Sequence, residues 1–132
     1  MNKKLISTGA LFGIIAIILG AFGAHALKKV LLPEQLITFE TGVRYQMYHA
    51  LFLILIALLN DLSEKTKKAI YYLVVFGVIL FSLSIYLLAT NNLTSFDFKV
   101  IGFVTPIGGL LLIVAWGILF FNFLKKKTTK SG

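Results

Sequence analysis

Four apolar runs, at residues 5–27, 33–59, 69–89 and 98–124, are each long enough to cross a hydrocarbon core. That core is about 30 Å thick, and a helix rises about 1.5 Å per residue. Inside lipid no water reaches the backbone, so every N–H and C=O must be paired within the protein, which leaves helices and closed barrels. Runs of this length read as helices. The expectation is an all-α membrane protein, residues 1–132 forming a single domain of four transmembrane helices. Short links predict an antiparallel up-down bundle.

Composition agrees with that reading. The chain is 58% hydrophobic with a mean hydropathy of +0.92, and its charged residues lie mostly between the runs. A net charge of +8 would suit a nucleic-acid binder. The lysines, however, cluster at the ends of membrane-length segments instead of forming a basic face interleaved with aromatics. No nucleic-acid partner is therefore expected, and the lipid bilayer is. With both termini cytoplasmic, Lys3, Lys4, Lys65, Lys67, Lys68, Lys125, Lys126, Lys127 and Lys130 lie inside, against Lys28, Lys29, Arg44 and Lys99 outside. This is the bias that positive-inside orientation requires. The absence of cysteine excludes disulfides, thiolate metal sites and a cysteine nucleophile.

The first run follows Lys3 and Lys4 and ends near Ala24-His25-Ala26, which imitates a signal-peptide cleavage site. Its apolar region is longer than the roughly 7–15 residues of a signal core, so an uncut helix is expected. Gly9, Gly13, Ala16, Gly20 and Gly23 recur at alternating spacings of four and three and form one small-residue seam. Such a seam lets another backbone come close. Packing inside the monomer is favoured over a dimer interface.

The second run, PEQLITFETGVRYQMYHALFLILIALL, begins polar and ends apolar. With Leu59 at the far membrane boundary, Glu40 falls near the entry surface, Arg44 about 7 Å inside it and His49 near the midplane. At about 100° per residue, Thr38, Glu40, Thr41, Arg44, Tyr45, Tyr48 and His49 share one half of the circumference. Leu36, Phe39, Val43, Met47 and Ala50 share the other, with Gln46 the polar exception. Ionisable groups at this depth are costly, about 3 kcal/mol for a mid-bilayer arginine on insertion scales, so the polar half is expected to face protein.

In the third helix Tyr71 and Tyr72 suit an interfacial belt, and Ser82 and Ser84 can bond the backbone or a neighbour. Residues 60–68 are expected to be a charged turn. In the fourth, Pro106 is expected to kink the helix, with Gly108 and Gly109 allowing close approach at the bend.

The candidate polar site is His25, Glu40, Arg44, Tyr45, Tyr48, His49 and Tyr86, gathered towards the outer leaflet. Two readings compete. Glu40 and Arg44 have the favourable i,i+4 order for an ion pair, which tyrosine hydroxyls would complete into a structural knot. Alternatively, His25, Glu40 and His49 offer a proton or ion path. No nucleophile motif, phosphate loop or zinc signature is present, so no enzyme, cofactor or metal is expected.

The blocks GAFGAHALK at 20–28, FETGVRYQMYHALFLILIAL at 39–58 and TPIGG at 105–109 resemble the YgdD/YwdK family of small bacterial inner-membrane proteins of unknown function. The resemblance runs over essentially the whole chain. It implies a four-helix plasma-membrane protein, and it marks Gly20, Gly23, His25, Glu40, Thr41, Arg44, Tyr45, Tyr48, His49, Thr105, Pro106 and Gly108 as motif residues, with no reaction to transfer. The functional expectation is an accessory or structural membrane component that packs with itself or another membrane protein. The alternative is a minimal transporter or proton-responsive carrier.

Overall fold

The structure is a computed structural model that describes residues 1–95 and 97–125, with the helical backbone continuing to Ser131. The side chains of Lys126, Lys127 and Lys130, counted above among the inner charges, lie outside the described residues. Among the described residues, four helices are long and apolar enough to span a membrane. They are α1 (Asn2–His25), α2 (Pro33–Leu58), α3 (Glu64–Ala89) and α4 (Val104–Ser131). A π-helical turn, Ile79–Leu83, interrupts α3.

Local chemistry sets the helix ends. Pro33 opens α2, where its missing N–H has no intrahelical partner to lose, and Glu34 meets the positive helix end. α3 starts at Glu64, inside the stretch expected to be a turn, because Ser63 Oγ accepts from Thr66 N at 3.1 Å and caps the helix. The expected kink at Pro106 is corrected too. Residues Phe98–Ile101 form a separate 3₁₀ turn, and α4 begins at Val104, so Pro106 lies in its first turn, where proline is tolerated.

Small residues decide which helices touch. The α1 seam lies against α2: a Cβ added at Gly9 would meet Ala50 O at 2.7 Å, while Gly20 faces Val43 and Gly23 faces Phe39. α4 lies against α3 in the same manner, with Gly77 facing Leu112 and Gly108 facing the Phe81 backbone. α2 and α3 are the more buried central pair. One apolar cluster includes Leu5, Leu53, Ile56, Ile70, Val74 and Leu112; a second comprises Leu27, Leu31, Phe39 and Ala89. Ile17, Ile18, Leu51, Phe103 and Ile113 point outward, which suits a surface whose solvent is acyl chain.

Most of the polar half of α2 does not turn inward as expected; of its members His49 alone is buried. Ile37, Glu40, Arg44, Tyr48, Leu51 and Leu55 form an exposed stripe, and the buried positions are Phe39, Gly42, Gln46, His49, Ala50, Phe52, Leu53, Ile56 and Ala57. α1 takes the face carrying Val43, Met47 and Ala50, and α3 takes Gly42 and Gln46. The charges are left outside, where a long side chain can reach towards the membrane surface along its own helix.

Candidate intramembrane polar layer

Gln46 and His49 sit between the two apolar clusters, 4% and 3% exposed. A polar side chain buried at this depth needs partners, and both have them. Gln46 Nε2 donates to Phe12 O on α1 at 2.9 Å, and Gln46 Oε1 accepts from the Tyr86 hydroxyl on α3 at 2.7 Å. One amide therefore joins three helices. Tyr86 is held at this height by its ring contact with Phe39, 5.0 Å between centroids.

Both ring nitrogens of His49 are engaged. Indole N–H can only donate, so the 3.0 Å contact from Trp116 Nε1 makes His49 Nε2 an acceptor. The proton then resides on Nδ1, which donates to Tyr45 O at 2.7 Å. Trp116 also stacks on Phe52 at a centroid distance of 4.1 Å, so α4 is fixed to α2 by one aromatic anchor with a polar tip.

The π-helical turn of α3 supplies the rest of the layer. Ser82 Oγ donates to Gly42 O at 2.8 Å, a bond allowed by the bare Cα of Gly42, where a Cβ would lie 2.6 Å from the Tyr86 ring. Ser84 Oγ donates into the α3 backbone at Leu80 O, so the Thr105 hydroxyl must be the donor in the 2.6 Å Ser84–Thr105 bond. A second polar junction lies at the other end of the bundle. There Lys67, 3% exposed, donates to Asn2 Oδ1 at 2.9 Å and Ala57 O at 3.1 Å, placing a cation against the last turn of α2.

Of the residues singled out from the sequence, Tyr45, His49 and Tyr86 come to the helix interfaces, through Phe81, Trp116 and Gln46 respectively. His25, Glu40, Arg44 and Tyr48 remain exposed, and Tyr45 is 40% exposed despite its ring contact. Among the described residues Glu40 forms no ion pair with Arg44; Arg44 Nη2 donates instead to Thr41 Oγ1 at 3.2 Å. Among the same residues, no group of three or more His, Cys, Asp or Glu side chains converges on a point where a metal ion could be held.

The family profile described as "Protein of unknown function (DUF423)" matches residues 19–109. A UPF0382 membrane protein of Staphylococcus saprophyticus is 38% identical over 117 residues, covering 89% of this chain and 93% of the relative. The UPF0382 membrane protein YwdK of Bacillus subtilis is 36% identical over 118 residues, covering 86% and 90%. The UPF0382 inner membrane protein YgdD of Escherichia coli is 32% identical over 129 residues, covering 96% and 93%. The chain belongs to the DUF423 family. No solved structure matches it.

With its four apolar spans, this DUF423 chain is a multi-pass membrane protein. Its motif glycines Gly20, Gly23 and Gly108 lie at helix contacts, and the motif histidine His49 anchors Trp116. Two members of the polar layer escaped the reading of the sequence, Gln46 as a hydrogen-bonding hub and Trp116, whereas Ser82, expected to bond the backbone or a neighbour, bonds the neighbouring α2. The isolated amide on an apolar face and the single tryptophan were the available signals, since both carry N–H groups that lipid cannot satisfy.

Proposed function

We propose that this DUF423 protein is a structural or accessory component of the bacterial plasma membrane, neither an enzyme nor a carrier. It is read as an antiparallel up-down bundle with both termini cytoplasmic, working beside a second copy or another membrane protein. The observation that supports this best is the closure of the polar layer. Gln46, His49, Ser82 and Ser84 direct their hydrogen bonds to other groups of the chain, as in a knot that fixes helix register. The α1 seam is occupied by α2, so a partner would meet other faces.

Flux in proteoliposomes tests the reading. The protein should pass protons and monovalent cations no faster than empty vesicles, and His49→Phe should lower thermal stability without creating or removing flux. A pH-dependent flux abolished by His49→Phe would refute it. Orientation has its own test, made simple by the lack of native cysteine. Asp61→Cys should be labelled by a membrane-impermeant maleimide only after cells are opened, and Asn92→Cys in intact cells; the reverse pattern would invert the topology.

A further inference from the structure

The exposed stripe of α2 borders a groove that the polar layer does not fill. It has a volume of about 400 Å³ and is walled by α2, α3 and α4, with Thr41, Tyr45, His49, Phe81, Leu112 and Trp116 among its lining. Thr41, Tyr45 and His49 follow one another every fourth residue, so the groove runs along α2 for about 12 Å. It is predominantly apolar and opens sideways between helices whose outward faces meet lipid.

Charge is ordered along the same helix. Arg44 donates to Thr41, a groove residue, so its guanidinium turns back towards the N-terminal end of α2 and stands at the top of the groove. Glu40 lies one turn nearer that end and is exposed. Among the described residues it is not ion-paired with Arg44. Passing down α2, a ligand would meet a carboxylate, then a guanidinium, then an apolar slot.

We propose that this groove binds a phospholipid with a primary-amine headgroup, of the phosphatidylethanolamine class. Its ammonium pairs with Glu40, its phosphodiester with Arg44, and one acyl chain lies in the groove as far as Trp116. The charge order selects among lipids. Phosphatidylglycerol presents the phosphate without a cation for Glu40, and phosphatidylcholine presents a quaternary ammonium with no N–H to donate to a carboxylate. A guanidinium in the outer layer of hydrocarbon also acquires a counter-anion in this arrangement, which none of the described residues provides. The assignment does not depend on which leaflet holds this end of the bundle.

The single tryptophan lines the groove and reports its occupancy. The full chain in phosphatidylcholine nanodiscs is doped with phosphatidylethanolamine, phosphatidylglycerol or phosphatidylcholine carrying the same brominated acyl chains, and Trp116 fluorescence is followed. Brominated phosphatidylethanolamine should quench at a mole fraction about fivefold lower than the other two. Arg44→Gln should raise the fraction needed to that of phosphatidylcholine, and Glu40→Gln should remove the preference over phosphatidylglycerol. Both positions are exposed, so neither variant should disturb folding, which thermal unfolding checks. Equal quenching by all three lipids would overturn the proposal. So would a failure of every brominated lipid to quench, with a tryptophan spectrum that changes with protein copies per disc, since a second copy would then occupy the groove.

Discussion

Gly108→Ala should destabilise the protein by about 3 kcal/mol, at the upper end of what one added carbon does to a packed site. The added Cβ would overlap Phe81 N, and it would lie 2.8 Å from Leu80 C and 2.9 Å from Gly77 O. All three are backbone atoms of α3, so no side-chain rotation relieves the clash. Either α4 moves away or the π-helical turn rearranges, and in both cases the Ser84–Thr105 bond is stretched. Two neighbouring glycines serve as controls. At Gly109 a Cβ would lie 3.5 Å from the Phe81 ring, an ordinary contact, and at Gly117 it would meet nothing within 4 Å. Gly109→Ala should be close to neutral, and Gly117→Ala neutral or stabilising by up to about 1 kcal/mol through helix propensity. Unfolding in mixed micelles, followed by circular dichroism, ranks the three. Equal effects at 108 and 117 would mean that α3 and α4 are not in contact at that point.

The contrast between Gly108 and Gly109 also shows what the sequence made legible. Four spans follow from length and hydropathy alone, because lipid leaves a backbone so few ways to pair itself. The α1 seam was legible because small residues at helical spacing mean close approach whatever the solvent. The inward face of α2 was not. Hydropathy points to the core of a soluble protein, but in a bilayer the outside is apolar as well. Side-chain size then carries the directional information: Gly42, a single glycine without a repeat, marks the contact with α3, while most of the polar half, expected to face protein, stays exposed. The TPIGG block was legible as a special place and misread as a kink, because Pro106 opens α4 instead of interrupting it. The start of α3 was hidden by charge. Lysines 65, 67 and 68 resemble a loop, and the Ser63 cap outweighs them.

Gln46→Leu should cost about 2 kcal/mol, although it replaces an amide by an apolar side chain of similar size in an apolar surrounding. The loss comes from what remains behind. The Tyr86 hydroxyl, part-buried against α2, would have lost the acceptor to which it now donates at 2.7 Å, and Phe12 O would have lost the donor that ties α1 to the layer. Tyr86→Phe should cost less, about 1 kcal/mol, because the amide oxygen it abandons stays on a side chain still held by Phe12 O. The double variant should then cost about 1 kcal/mol less than the two single losses added, since removing both partners leaves no orphan hydroxyl. Coupling of that size is near the upper part of the range for hydrogen bonds between membrane helices, as befits a bond with no competing water. Strict additivity would show that Gln46 and Tyr86 do not act together. The hub of the polar layer would then lie with His49 and Trp116 alone, and α1 would be held by its glycine seam without help from the amide.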